Sequence, residues 1–375
     1  MRLDIGLSAA AVAALIAGCA LGPAYQRPAI ELPLAWTDVP SQGKSATGDR
    51  WWTMYGDPAL DRLVEEALTY NQDLALVTAR VDEARALARI ADSPRFPSVD
   101  ATFERDRTRS SERSPLPIPP SAIERNSYRG QLNVSYEVDL WGRLKSASKA
   151  AQAELLASEA NRETVRIALA TEVVRAYFAL VAFDAQVEAT RRSLALQKIR
   201  SNAGLINEFT LRQLEAEVAA ARAQLPALEA NRTAQELALA VLLGRSPRAI
   251  MEGAVARRAE QGEPAAPVVP EGLPSDLLLR RPDVASAEQL LIANNARISE
   301  ARAALFPRIG LSGYLGSESS ALSDLFTGPA RIWSLGFGLA QPIFQGGRLF
   351  AEIDAVKALG GGWQGFVPDA VAQNK

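Results

Sequence analysis

Histidine is absent from the 375-residue sequence, and cysteine occurs once. The absence of imidazole excludes Ser-His-Asp and Cys-His nucleophilic sites, histidine metal sites and a proton shuttle near neutral pH. A single cysteine excludes an intramolecular disulfide and a multi-cysteine metal site. We therefore expect no cofactor, no metal and no enzymatic activity, with carboxylate-only chemistry the one catalytic class left open.

An excess of basic charge is also missing. The sequence has 41 Lys and Arg against 43 Asp and Glu, a formal net charge of −2. Nucleic-acid-binding proteins usually carry a basic patch or stripe and a high isoelectric point. We expect no nucleic-acid partner. Because 48% of the residues are hydrophobic, the chain has enough apolar side chains for a buried core and is not predicted to be disordered.

The N-terminus has the features of an export signal. The apolar run over residues 5–17 is too short for a transmembrane helix, which needs about 20 residues, but suits a signal-peptide core. Ile16-Ala17-Gly18-Cys19 then resembles the bacterial lipobox, in which the cysteine thiolate accepts a diacylglyceryl group. We predict a signal peptide over residues 1–18 and lipid attachment at Cys19. The alternative is a free cysteine in an ordinary signal peptide. Ala20, where an aspartate would signal inner-membrane retention, implies outer-membrane sorting.

The sequence contains an internal duplication of one structural unit. Four residues recur 210 positions later without a gap: Asp73 as Asp283, Ala75 as Ala285, Phe96 as Phe306 and Pro97 as Pro307. Gly142-Arg143-Leu144 recurs as Gly347-Arg348-Leu349, 205 positions later, so the intervening loop is five residues shorter in the second copy. Each copy predicts a helix, a strand, a loop, a strand and a long helix.

The predicted strands alternate apolar and polar residues with a period of two. The apolar positions are Val99, Ala101 and Phe103; Leu132, Val134, Tyr136, Val138 and Leu140; and Trp333, Leu335, Phe337 and Leu339. A further strand is predicted from Arg308 to Leu311. The loops over 107–127 and 316–329 are rich in Ser, Pro and Gly, as exposed connections are. A soluble sandwich and a membrane barrel give the same alternation.

The longest predicted helix separates these two architectures. Residues 143–203 contain no Gly or Pro, which at about 1.5 Å per residue allows roughly 90 Å of helix. Ordinary globular helices are much shorter. The chain returns from Phe209 to Leu225, then Pro226, then Leu228 to Leu243. We predict an antiparallel coiled-coil hairpin, closely packed through its many alanines.

Four strands do not suffice for a closed membrane sheet. About eight strands are the practical minimum for a barrel, and an open sheet edge is not tolerated in hydrocarbon. If these strands span a membrane, the chain must oligomerise.

Several motifs together resemble the TolC-like outer-membrane efflux proteins, in the lipoprotein branch that serves resistance-nodulation-division pumps. The resemblance extends from residue 16 to residue 358. Besides Cys19, its motifs are Gly22 to Pro28, Trp51-Trp52, Gly56 to Leu60, Tyr136 to Arg143, Gly272 to Leu278, Arg280 to Val284, Gln341 to Phe344 and Gly346 to Arg348.

This resemblance implies a mixed α and transmembrane β fold with a duplicated helix-strand-strand-helix unit. Three chains would form one twelve-stranded β-barrel and a long α-helical coiled-coil tunnel across the periplasm. The implied partners are two further copies of the chain, a periplasmic membrane-fusion adaptor, an inner-membrane resistance-nodulation-division pump and outer-membrane lipid. The implied function is passive export of small molecules to the exterior.

Other motifs have structural interpretations. Glu137 and Asp139 are candidate pore-lining residues, although a solvated strand face near the membrane edge explains them equally well. Asp57-Pro58 and Arg281-Pro282-Asp283 are typical of helix starts. Trp51-Trp52 is expected to pack before the first helix, and Gly346-Gly347 to form a strand-to-helix turn rather than a phosphate loop.

The predicted organisation is a signal peptide over 1–18, a lipidated extension over 19–50, a first repeat over 51–250, a linker over 251–270, an incomplete second repeat over 271–358 and an aberrant tail over 359–375. By the repeat offset, the second copy would end near residue 449, which suggests a truncation or frameshift near codon 358. The alternatives to a channel are a non-transporting lipoprotein with a coiled-coil scaffold role and a non-functional truncated channel.

Overall fold

The computed structural model describes residues 25–27, 50–113, 119–120, 123–202, 208–252, 255–256 and 280–358. Cys19, the predicted signal peptide and the predicted tail over 359–375 lie outside these residues, as does most of the predicted linker. The chain forms two compact units. The sheet unit comprises residues 1–29, 83–157 and 286–375, and the helical unit comprises residues 30–82 and 158–285.

Seven α-helices and four strands are described, with short 3-10 turns between them. The helices are α1 Pro58–Tyr70, α2 Gln72–Asp92, α3 Arg143–Asn202, α4 Glu208–Leu242, α5 Pro247–Glu252, α6 Pro282–Ala303 and α7 Arg348–Ala358. The strands are β1 Ser98–Arg109, β2 Glu124–Val138, β3 Arg308–Ser319 and β4 Arg331–Ala340. The 3-10 turns are Trp51–Tyr55, Ser93–Arg95, Leu322–Asp324 and Gly328–Ala330. Among these described helices, none is both long and apolar enough to cross a lipid bilayer.

The duplication seen in the sequence is confirmed by the element boundaries. Helices α2 and α6 begin 210 positions apart, and so do strands β1 and β3. Helices α3 and α7 begin 205 positions apart, each after a glycine in the left-handed region, Gly142 at φ 74° and Gly347 at φ 82°. Only glycine adopts that region without strain, so the same strand-to-helix turn occurs in both copies.

All four strands belong to one antiparallel sheet of order β1-β2-β3-β4. The two predicted loops are shorter than expected, because β1 continues to Arg109, β2 begins at Glu124 and β3 continues to Ser319. Arg107 and Arg109 both form ion pairs with Glu124, at 3.0 and 2.9 Å. Cross-strand charge pairs thus extend the first hairpin beyond its apolar alternation.

Strand β2 ends earlier than its alternation predicts. Its last residue is Val138, so Asp139 and Leu140 lie beyond the strand. The side chain of Asp139 accepts hydrogen bonds from the backbone N–H groups of Leu144 and Lys145, at 3.1 and 2.8 Å. The residue therefore caps the start of α3, where N–H groups have no partner within the helix.

The helical unit is built around the start of α1. The core comprises Trp52, Leu60, Leu63, Val64, Ala67, Leu169, Ala170, Val173, Val174, Ala176, Tyr177, Leu180, Leu239, Ala240, Leu243 and Val255. The predicted packing role of Trp51-Trp52 is confirmed, since Trp52 is buried and Trp51 packs against this core. The predicted helix start at Asp57-Pro58 is also confirmed, with Asp57 accepting hydrogen bonds from the N–H groups of Ala59 and Leu60. The start at Arg281-Pro282-Asp283 is confirmed as well.

The predicted hairpin of long helices is present in α3 and α4. Helix α3 runs for 60 residues without a break. Helix α4 is a single helix of 35 residues with Pro226 inside it, rather than two segments separated by the proline. Arg191 of α3 pairs with Glu229 of α4, and Arg232 of α4 with Asp184 of α3, at 2.6 and 2.5 Å. These reciprocal contacts align the two helices side by side.

Candidate functional site

The sheet has one apolar face and one polar face. The strand register places apolar side chains together: Val99 lies opposite Val134, Leu132 opposite Leu315, and Leu311 opposite Phe337. The other described residues do not cover this apolar face. Leu335 is 83% exposed and Trp333 is 71% exposed. An apolar surface of this extent is typical of an interaction with membrane or protein rather than water.

The opposite face is polar and internally hydrogen-bonded. Ser98 and Ser135 share a hydrogen bond of 2.8 Å, and the Asn133 amide donates to the Thr102 hydroxyl at 3.1 Å. In the N-terminal half of β2, Arg129 forms an ion pair with Glu318 of β3 at 2.6 Å. The alternation of apolar and polar residues thus produces a sheet that separates two environments.

Both edges of the sheet are open within the described residues. Strand β1 pairs only with β2, and strand β4 pairs only with β3. An unpaired edge exposes a row of N–H and C=O groups that can pair with another strand. Among the residues that the structure describes, neither the apolar face nor the two edge strands have a partner on their open side.

The two acidic candidates from the sequence lie close together at the junction of β2 and α3. Glu137 is the penultimate residue of β2, and it accepts three hydrogen bonds of 2.8 to 3.1 Å from Arg143, the first residue of α3. Asp139 is the cap described above. Glu137 lies an even number of residues from Asn133 and Ser135, so it belongs to the same polar face of the sheet. Asp139 lies beyond the end of β2, in the turn.

A further carboxylate was not found by sequence reasoning. Glu300 of α6 lies near Arg143 and near Arg297, which itself pairs with Glu154. Burial raises the pKa of Glu300, and the two guanidinium groups counteract that effect only in part. Its helix contains other charged residues, so no pattern distinguishes it before the helices are assembled.

Glu300→Gln should make the protein less sensitive to alkaline pH. A carboxyl group whose pKa is raised by folding adds stability below its unfolded pKa and loses it as pH rises through the folded pKa. Arg143 keeps Glu137 and Arg297 keeps Glu154, so neither arginine loses its ion pair. At pH 8 the variant should be as stable as the original protein or more stable, by less than about 1 kcal/mol. At pH 4 that gain should disappear.

Thermal unfolding of purified protein in detergent at the two pH values measures this difference. Glu154→Gln is the matched control, because it removes a partly exposed carboxylate from the neighbouring Arg297 ion pair. A larger gain for Glu300→Gln at pH 4 than at pH 8 would contradict the assignment.

Trp141 of the first repeat contacts the second repeat within the sheet unit. Its indole N–H donates to the carbonyl of Pro307 at 2.8 Å, and its ring lies 4.9 Å from that of Phe306. The equivalent position in the second copy is Gly346, so the duplication does not reproduce this contact. The aromatic pair fixes the segment after α6 against the turn that contains Asp139.

Comparison with known proteins gives a family-level match. The model of the family described as "Outer membrane efflux protein" matches residues 63–245 and 273–358. The solvent efflux pump outer membrane protein SrpC of Pseudomonas putida is 37% identical over 360 residues, covering 91% of this chain and 74% of that protein. Outer membrane protein OprJ of Pseudomonas aeruginosa is 34% identical, covering 94% and 75%.

The fold is shared with solved structures. The open-state crystal structure of the MtrE outer membrane channel of Neisseria gonorrhoeae superposes with a TM-score of 0.78 at 28% identity. The superposition covers 90% of this chain and 76% of that channel.

Proposed function

The chain belongs to the outer membrane efflux protein family, and on that premise we propose that it is the outer-membrane channel subunit of a tripartite efflux system. Small molecules would pass through it passively from the periplasm to the exterior. The observation that carries this proposal is the two-faced sheet with two open edges. An apolar outer face suits lipid, and a polar inner face suits a water-filled pore.

The proposed assembly is a homotrimer. Each chain supplies four strands, so three chains supply twelve, which exceeds the practical minimum for a closed barrel. Closure pairs every open edge, as hydrocarbon surroundings require. The α3–α4 hairpin of each chain contributes to the helical tunnel in the periplasm.

The pore lining includes Glu137 in this proposal. Its position on the polar face at the end of β2 puts it at the transition between the barrel and the helices. Arg143 holds the carboxylate in place, so it presents a fixed acidic group rather than a mobile one. Asp139 is also a predicted lining residue. It lies two residues further along the chain, where its side chain caps α3.

The proposed partners are a periplasmic membrane-fusion adaptor and an inner-membrane resistance-nodulation-division pump. The support comes from relatives named as outer membrane components of efflux pumps. A passive pore needs such an energy source for export, and the sequence offers no catalytic constellation of its own. Substrate selection then resides mainly in the pump.

Lipid attachment at Cys19 is a separate prediction. Cys19→Ala should abolish incorporation of radiolabelled palmitate, because this is the only thiol in the chain. Gly18→Ser, which keeps a small residue before the cysteine, is the matched control and should retain the label. Palmitate on the Cys19→Ala protein would contradict the assignment.

The channel proposal is tested by the state of the protein in isolated outer membranes. We expect a trimer on unheated denaturing gels that converts to monomer on boiling. A soluble periplasmic monomer would contradict the proposal. A membrane-bound trimer without conductance would instead favour the scaffold role.

A further inference from the structure

The charged residues of the sheet are distributed unequally between its two faces. Within the four strands, the polar face carries five acidic residues and three arginines, whereas the apolar face carries four arginines and one acidic residue. Those on the polar face are Asp100, Glu104, Asp106, Glu137, Glu318, Arg125, Arg129 and Arg308. Those on the apolar face are Arg105, Arg107, Arg109, Arg331 and Glu124. The face proposed to meet lipid therefore carries an excess of positive charge.

The separation of charge is clearest in the second half of β1. Glu104, Arg105, Asp106 and Arg107 follow one another there. Successive side chains of a strand point to opposite faces, so both acids lie on the polar face and both arginines on the apolar face. A strand end with water on both sides gains nothing from such a separation. The pattern indicates that the two faces of this end meet different surroundings.

All four arginines of the apolar face lie at the same end of the sheet. Antiparallel pairing puts the turns after β1 and β3 at one end, and the strand ends that lead to helices at the other. Arg331 is the first residue of β4, and Arg105 lies opposite Tyr128 in the half of β1 nearer the turn. In the proposed channel the helices are periplasmic, so the arginines lie where the outer leaflet meets the exterior.

An aromatic side chain lies between the apolar rows and the arginines in both edge strands. Phe103 is two residues from Arg105 in β1, and Trp333 is two residues from Arg331 in β4, which separates each pair by about 7 Å on one face. All four side chains are exposed. Aromatic girdles mark the boundary between hydrocarbon and headgroups in membrane barrels. The arginines therefore lie at the level of the lipid headgroups.

We propose that Arg105, Arg107, Arg109 and Arg331 form an arginine rim that binds the phosphate groups of a lipid in the outer leaflet. A guanidinium group matches two phosphate oxygens at once, which makes arginine well suited to this ligand. The contact of Arg107 with Glu124 uses one nitrogen, Nη2, and a guanidinium group has five N–H donors. This inference rests on the proposed outer-membrane channel and adds a lipid ligand to it.

The acidic residues near the arginine rim do not neutralise it. Arg107 and Arg109 share the carboxylate of Glu124 at 3.0 and 2.9 Å, and Arg109 also contacts Glu112 at 3.2 Å. Arg105 lies over the ring of Tyr128, 5.6 Å from its centroid. A stacked guanidinium group keeps its charge and its N–H donors. The rim therefore has the positive charge that a phosphate requires.

Binding of lipid A, a phosphorylated glycolipid of bacterial outer membranes, to the purified full chain tests the proposal. Native mass spectrometry measures the lipid bound per trimer as bisphosphorylated lipid A is titrated in non-ionic detergent. Arg105→Gln combined with Arg331→Gln removes two rim charges and keeps both ion pairs of Glu124. The matched control is Arg125→Gln combined with Arg129→Gln, which removes two charges from the polar face at the same end of the sheet.

We expect the rim variant to bind bisphosphorylated lipid A about tenfold more weakly than the original protein, and the polar-face control to stay within about twofold of it. Arg105→Lys combined with Arg331→Lys keeps both charges and should retain most of the binding. Lipid A without its phosphates should bind the original trimer about tenfold more weakly than the bisphosphorylated form. This last comparison uses the original protein, so it does not depend on assembly of a variant.

Three results would overturn the arginine rim while leaving the trimeric channel intact. Equal losses in the rim variant and the polar-face control would contradict binding on the outer face. Equal binding of lipid A with and without phosphates would contradict phosphate recognition. Displacement of the lipid by an equal concentration of inorganic phosphate would show a site for free anions instead of lipid. A soluble monomer in the original preparation would contradict the proposed function itself.

Discussion

Leu335→Lys should remove most of the trimer from the outer membrane, whereas Ser334→Lys should leave it assembled. These neighbours in β4 project to opposite faces of the sheet, because successive side chains alternate. Leu335 belongs to the apolar face and Ser334 to the polar face. A lysine facing lipid costs about 2 to 4 kcal/mol near the bilayer midplane. The trimer would incur that cost three times.

Quantitative gels of unheated outer membranes measure the effect. The Ser334→Lys trimer should also conduct with reduced cation preference, since its added charges would lie in the pore. Leu335→Met is the control for side-chain change without charge. Equal yields of the two lysine variants would contradict the assignment of the faces.

Tyr177→Ala should destabilise the helical unit by about 3 to 5 kcal/mol, the usual cost of deleting a buried aromatic ring. Tyr177 has no exposed surface, and its hydroxyl donates a hydrogen bond of 2.6 Å to the carboxylate of Asp57, which is 4% exposed. That carboxylate also accepts from the first N–H groups of α1. The ring therefore fills the core and supports the helix cap at once.

Tyr177→Phe separates these two contributions. It keeps the ring but leaves Asp57 without its hydroxyl donor, at a cost of about 1.5 to 3 kcal/mol. Urea unfolding of the detergent-solubilised protein, followed by circular dichroism, measures both variants. Tyr70→Phe is the matched control at an exposed tyrosine and should change the unfolding free energy little. A Tyr177→Phe variant as stable as the original would contradict a buried, charge-assisted hydrogen bond.

The repeating features of the fold were predictable from the sequence. Alternation identifies the strands because one face is apolar over most of their length, and the 210-residue offset places α6 and β3 by analogy with α2 and β1. The strand ends were less predictable. Arg107 and Arg109 continue β1 through pairing with Glu124, and such pairing becomes apparent only once the hairpin forms.

The candidate site shows a similar division. Glu137 and Asp139 look alike in the alternating pattern, yet one pairs with Arg143 and the other caps α3. Their different roles depend on where β2 ends. The alternating pattern predicts a strand to Leu140, two residues beyond its observed end at Val138. The Asp57–Tyr177 contact links residues 120 positions apart, so local sequence predicts the helix cap but not its buried partner.

The most direct test of the central claim is conductance of the purified full chain in a planar lipid bilayer. The proposed trimeric channel should give discrete, ohmic single-channel steps. Ser334→Lys should shift the reversal potential in a salt gradient towards the anion potential, because its side chain would line the pore. Intact trimers that insert into the bilayer without conducting would contradict the account.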